Sequence, residues 1–215
     1  ATMRHACRNY PLVHCKGVTL VPWQKQEAEK LNKRAGLENR IQILTEDYTA
    51  TSISNNSVDH VMAIESGCYA KGADKADLLA EIHRILKPGG SFVIADGFLK
   101  SKKRQGLVLR KAYEQLCRSW ALTELGNINE VLEKIDQLGF ENVNAQNISW
   151  KVAPSVAHVP HTVISFLMKQ FFFGKDKMTK ERWDNLKSPL LTMVLGLHQR
   201  HFGYYLVKGQ KRFVL

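Results

Sequence analysis

Short apolar runs alternate along the first half of the chain with longer stretches in which apolar residues return every three or four positions. Residues 17–21 form a brief apolar run that predicts a strand. Residues 23–35 place Trp23, Ala28, Leu31 and Ala35 near one helical face, and Gly36 stops that helix. Residues 40–44 predict the next strand, closed by Glu46-Asp47-Tyr48, and a polar loop over 52–57 leads to a third strand at 58–64. Residues 74–86 predict an amphipathic helix with Leu78, Leu79, Ile82, Ile85 and Leu86 facing inward. Lys87-Pro88-Gly89-Gly90 then turns the chain tightly into the run Phe92-Val93-Ile94-Ala95, which stops at Asp96-Gly97. Strands alternating with helices imply a parallel sheet covered on both faces.

The second half has a different pattern. Helices are predicted over 107–122 and over 128–138, the latter with Val131, Leu132, Ile135 and Leu138 on one face and Gly139-Phe140 as its stop. Residues 143–152 alternate loosely and predict a strand. Residues 153–202 carry two or three helical patterns, with Ser188-Pro189 as an N-cap and first helical position. Residues 204–207 and 212–215 predict a strand with its continuation, or a hairpin.

Composition narrows the class. A chain of 215 residues with 44% hydrophobic and 24% charged residues is long enough to bury a core without disulfides. Cys7, Cys15, Cys68 and Cys117 are scattered with no CxxC pair, which argues against a zinc site or disulfide framework and fits a reducing compartment. No apolar run approaches the ~20 residues of a membrane span. The net charge of +11 is spread along the chain without a nucleic-acid-binding motif. It predicts a solvated basic surface, open to peripheral contact with anionic membranes, rather than a nucleic-acid partner.

The segments "GVTLVPWQ" (17–24), "AGLENRIQILTEDY" (35–48), "NNSVDHVMAIESGCYA" (55–70), "EIHRILKPGGSFVIADGF" (81–98) and "LGFENV" (138–143) occur in a telling order and spacing. Together they resemble the class I S-adenosylmethionine-dependent methyltransferases of the small-molecule type, in particular the sterol and tocopherol C-methyltransferases. The resemblance covers most of residues 17–152 and, more weakly, the last strand. It implies an α/β fold: a Rossmann-like, mostly parallel seven-stranded sheet with its last strand antiparallel. The core would be residues 1–152 and 203–215, and residues 153–202 a helical lid over the substrate. The family's first strand and its GxGxG loop should stand just before residue 1, where the chain instead opens on a helix-like stretch. Without that strand, two neighbours would face each other with unpaired backbone groups. The expectation is therefore that an N-terminal part is omitted from the sequence given, or that another polypeptide supplies it.

The resemblance also implies site residues, and the cofactor would be S-adenosylmethionine, with no metal. Gln24, after the second family strand, bonds the cofactor ribose or is a solvated first-turn residue; no acid stands there. Trp23 shields the adenosine or packs elsewhere. Asp47, with Tyr48 beside it, accepts a hydrogen bond from the adenine amine, and Thr45 and Glu46 line the same pocket. Ile64 and Glu65 approach the sulfonium, and the Glu65 carboxylate is placed to stabilise positive charge. Tyr69 stands where relatives often carry histidine, which makes it a second candidate catalytic residue beside Glu65. Cys68 is not needed as a nucleophile. Asp96 and Phe98 lie at the mouth of the substrate cavity, where Asp96 orients substrate or caps the next helix. The stripe Val163, Phe166, Leu167 and Phe171 to Phe173 is packing or an apolar pocket. His158, His161, His198 and His201 lack the carboxylate or cysteine that would complete a metal site.

The expected function is methyl transfer to a small, largely apolar acceptor, with C-methylation of an isoprenoid- or sterol-like substrate first. O- or N-methylation of a small aromatic or amine is the alternative, as is a non-catalytic binding protein that has lost its cofactor loop. The expected location is cytoplasmic, with peripheral membrane contact and oligomerisation left open.

Overall fold

The computed structural model describes residues 1–101, 106–173 and 179–213. These divide into two compact units, residues 1–54 and 55–215.

In the first unit, α1 (Thr2–Asn9) leads to β1 (Cys15–Thr19), α2 (Pro22–Arg34) and β2 (Ile41–Thr45). β1 and β2 pair in parallel, Cys15 opposite Ile41 and Thr19 opposite Thr45. Both strands therefore end on the same side. Pro22 opens α2 at a first-turn position where its missing N–H is no loss. Cys7, Leu37, Ile41 and Ile43 form the core of this unit, with Met3, Val13, Cys15, Ala28 and Ala35 against it.

The second unit holds a five-stranded sheet. β3 (Val58–Ile64) pairs in parallel with β4 (Leu86–Leu99), and so does the short β5 (Gly126–Asn127). β7 (Phe202–Lys211) runs antiparallel between β4 and β6 (Phe140–Asn147). This is the antiparallel last strand that the resemblance implies. α3 (Ala76–Ile85) and α5 (Ile128–Gln137) bury Leu79, Ile82, Val131 and Ile135. In the sheet, Phe92 meets Phe140 edge-on with ring centres 4.7 Å apart. Asn127 caps α5 through its side-chain oxygen, which accepts from the N–H of Asn129 and Glu130. α4 (Leu107–Ser119), α6 (Ser149–Ala157), α7 (Val159–Phe173) and α8 (Lys180–Leu197) complete the unit. A second apolar cluster, including Leu109, Leu116, Leu195 and Phe202, binds α4 and α8 to the sheet.

Several expectations change. The described strands form one sheet of two and one of five. Lys87-Pro88-Gly89-Gly90 does bend the chain tightly, but within β4: the strand begins at Leu86 opposite Val58, the register breaks across these residues, and Gly89 takes φ +78. The strand expected over 143–152 is β6, already ended at Asn147. There the Asn147 side-chain oxygen accepts from the N–H and the hydroxyl of Ser149, which opens α6. Ser188-Pro189 does not start a helix. Both lie inside α8, where Ser188 is fully buried. The last strand is one continuous β7, not a hairpin, and Val214 and Leu215 lie outside the described residues. Among the described residues no helix is long and apolar enough to cross a membrane.

Candidate functional site

In open α/β sheets, ligands gather at the C-terminal ends of parallel strands. In the first unit this end carries Trp23 and Gln24 after β1, and Asp47 and Tyr48 after β2; Glu46 N–H donates to Thr19 O at 3.2 Å. The Gln24 side-chain oxygen accepts from the Thr19 hydroxyl at 2.6 Å. Its NH2 has no partner among the described residues and is free to donate. Trp23 is 68% exposed, a large apolar face with nothing from this unit upon it. Asp47 Oδ1 accepts from the N–H and hydroxyl of Thr49, at 2.8 and 2.7 Å, so this acid builds its own turn as well as facing the strand ends. Glu46 accepts from the N–H and the hydroxyl of Ser52.

In the second unit, β3 ends at Ile64 and the backbone turns sharply. Glu65 has φ +50, a left-handed conformation that a glutamate adopts only under constraint. The constraint is visible: Glu65 N–H donates to Ala95 O at 2.8 Å, which extends the β3–β4 pairing by one residue. The Glu65 side chain remains exposed, and the Tyr204 hydroxyl donates to its Oε1 at 3.1 Å. Burial pushes the Tyr204 hydroxyl well above the ordinary tyrosine range, and the Glu65 carboxylate adds to it. Tyr204 therefore stays a proton donor to Glu65 at neutral pH.

Asp96 is placed differently. It is 5% exposed, its Oδ2 accepts from Cys68 N–H at 2.9 Å and its Oδ1 from Gly97 N–H at 2.8 Å. Burial raises its carboxyl above the usual range, against those two hydrogen bonds. The void beside it is about 10 Å³, room for one water and no substrate. Asp96 thus clamps the turn Gly67–Tyr69 rather than orienting a ligand at a cavity mouth. Lys75 completes the clamp. It is 3% exposed, and its ammonium donates to Ala70 O, Glu124 O and Cys68 O at 2.6, 2.9 and 3.3 Å. Burial lowers its pKa, and all three of its protons are nonetheless engaged. Burial, and then Asp96, push the Cys68 thiol up to about 12, so it remains protonated. Tyr69 is half exposed on the clamped turn.

Phe98 is 4% exposed and meets Tyr205 edge-on, as a sheet-packing residue. Ile64 and Phe166 are exposed, and the side chain of Phe171 lies outside the described residues. At the same end of the sheet, a groove of about 640 Å³ lies between the start of α4 and the end of α8. Leu107, Val108, Val194 and Leu197 form its apolar walls, and His198, Arg200 and His201 its polar side. Among the described residues no three His, Cys, Asp or Glu converge as metal ligands.

The sequence pointed to Glu65 and Asp96 but not to Tyr204, Lys75 or the groove. Tyr204 reaches Glu65 because β7 sets it opposite Gly97. That pairing spans over a hundred residues and has no local signal.

Parallel strands with one antiparallel strand inserted beside β4 are the fold shared with solved methyltransferases. A family model described as a methyltransferase domain matches residues 2–94, and over that stretch the chain is similar to the class I methyltransferases of the small-molecule type. It is 27% identical over 134 residues to 24-methylenesterol C-methyltransferase 2 of Arabidopsis thaliana, covering 62% of this chain and 37% of that protein. It is 24% identical over 196 residues to norajmaline N-methyltransferase of Rauvolfia serpentina, covering 88% of this chain and 63% of that one. The chain thus spans only about a third to two thirds of these relatives. Geranyl diphosphate C-methyltransferase from Streptomyces coelicolor A3(2), solved in complex with Mg2+, geranyl diphosphate and S-adenosyl-L-homocysteine, matches in fold with a TM-score of 0.69. The identity is 16%, over 98% of this chain and 67% of that one.

Proposed function

We propose that the protein transfers a methyl group from S-adenosylmethionine to a small, largely apolar acceptor, with carbon of an isoprenoid- or sterol-like alkene as the first candidate. The observation that carries this reading is Glu65: an exposed carboxylate held in a strained backbone conformation at a strand end, with Tyr204 bonded to it. Such an arrangement suits stabilisation of a cationic centre, whether a sulfonium or a carbocation on the acceptor. The bound cofactor would supply an activated methyl, so the chain's own work is to position reactants and exclude water. The residues present fit that cofactor: Gln24 offers a free amide donor for ribose hydroxyls, and Asp47 an acceptor for the adenine amine. The α4–α8 groove has the size and apolar lining expected of an acceptor pocket.

N-methylation of an amine is the second reading, favoured by the relative that matches the larger share of the chain. One experiment separates these readings. Calorimetry on the full-length protein should detect S-adenosylhomocysteine binding, weakened in Gln24→Ala. Turnover is then measured on a panel of sterol, isoprenoid, phenol and amine acceptors. Turnover of amines alone would replace the first reading by the second. An absence of both cofactor binding and turnover would overturn both in favour of a non-catalytic binding protein.

A further inference from the structure

We propose that Cys7 and Cys15 are a reversible disulfide site that ties α1 to β1. Their Sγ atoms lie 3.7 Å apart. A disulfide needs ~2.05 Å, so closure takes a movement of under about 2 Å, within reach of side-chain rotation. Sequence spacing gave no hint of a pair, because eight positions separate the two cysteines across a turn. The structure supplies the reason that they stay together. The Arg40 guanidinium donates to Cys7 O at 2.9 Å, Tyr10 O at 2.6 Å and Val13 O at 2.7 Å. Cys15 N–H in turn donates to Arg40 O at 2.8 Å, and the Cys7 thiol to Val13 O at 3.4 Å. One arginine thus fixes both ends of the connection and its middle. Neither Cys68 nor Cys117 has a sulfur neighbour of this kind among the described residues.

The two thiols have different access. Cys7 is 1% exposed, whereas Cys15 is only partly buried. Cys15 is therefore the sulfur that meets an oxidant, and Cys7 the one that resolves. With a small-molecule disulfide such as oxidised glutathione as oxidant, the Cys15 thiolate attacks one of its sulfurs and releases one glutathione thiol. Cys7, deprotonated, then attacks the Cys15 sulfur of the mixed disulfide and releases the second. Two protein thiols become one disulfide, one glutathione disulfide becomes two thiols, and the two protein protons leave with them. Burial, and then the neighbouring Cys7 thiol, push the Cys15 thiol well above the usual range. The exchange should accordingly be slow at neutral pH and accelerate about tenfold per pH unit between pH 7 and 9.

The test uses the full-length native protein in a glutathione redox buffer, stopped by denaturation in N-ethylmaleimide. The expected result is two of the four cysteines alkylated, with an intact mass two hydrogens below that of the protein carrying two N-ethylmaleimide groups. Trypsin should release HACR (5–8) still joined to NYPLVHCK (9–16). Cys7→Ser should instead accumulate a stable glutathione adduct on Cys15, and Cys15→Ser should leave Cys7 unreacted while the fold holds. Four alkylated cysteines across the whole redox range would overturn the proposal. So would a lasting glutathione adduct in the wild type, or cross-links that involve Cys68 or Cys117.

Discussion

Two acids stand close together at the end of the β3–β4 pairing, and their surroundings assign them opposite work. Asp96 is buried, carries two backbone N–H groups and faces a void fit for one water, while Lys75 holds the same turn through three carbonyls. Glu65 is exposed, strained and bonded to one tyrosine hydroxyl. A buried acid with a backbone N–H on each oxygen holds structure; an acid kept open in an unfavourable conformation is available for chemistry. The contrast predicts that variants of the first pair lose stability, and variants of the second lose turnover.

The largest stability effect belongs to Lys75→Met, which leaves three carbonyls without their donor and removes a buried charge. It should lower the unfolding free energy by about 3 kcal/mol in urea titrations. A change below about 0.5 kcal/mol would break the contrast at its buried end. Asp96 adds a pH signature. Its folded pKa is raised, so the native state holds its proton more tightly than the unfolded chain. Its contribution to stability is then fully present below the ordinary carboxylate value of 3.8 and is lost as pH rises through the folded pKa. Asp96→Asn should flatten that part of the stability–pH profile, and an unchanged slope would show that another group sets it.

On the open side the effects are kinetic. Tyr204→Phe removes one hydrogen bond to Glu65 and should reduce kcat about threefold to tenfold, with KM for the acceptor little changed. Glu65→Gly is the sharpest variant in sign. It relieves the left-handed strain, so stability should rise by about 0.5–1 kcal/mol while turnover falls. The smallest effect is expected at Cys68: Cys68→Ala should leave kcat at the wild-type value, since a thiol pushed to about 12 is no nucleophile at neutral pH.

Much of this was legible in the sequence, for physical reasons. The α3 face of Leu78, Leu79, Ile82 and Ile85 and the run Phe92–Ile94 carry their own periodicity, so element type and order follow locally. The place of Glu65 at the end of an apolar strand was legible locally, whereas its candidacy as a site residue came from the family resemblance. Asp96 was found by position, but its role was not, since burial is a tertiary property. Lys75 reads as a solvated charge in any local window, and only the fold surrounds it with carbonyls. Ser188-Pro189 carries a cap signal that tertiary packing of α8 overrides, as the full burial of Ser188 records. Tyr204 depends on the register of β7 against β4, which no short stretch of sequence encodes.

The central claim is that Glu65 acts through its charge rather than through the fold. Glu65→Gln keeps the shape and removes the charge. The decisive measurement is kcat and unfolding free energy on the same preparation of this variant, with an acceptor that the wild type turns over. If the Glu65 charge acts on the reacting centre, kcat falls by about tenfold to a hundredfold, with stability within about 0.5 kcal/mol of wild type and S-adenosylhomocysteine affinity unchanged. Wild-type kcat in Glu65→Gln, or a loss of turnover that merely follows a loss of stability, would contradict it.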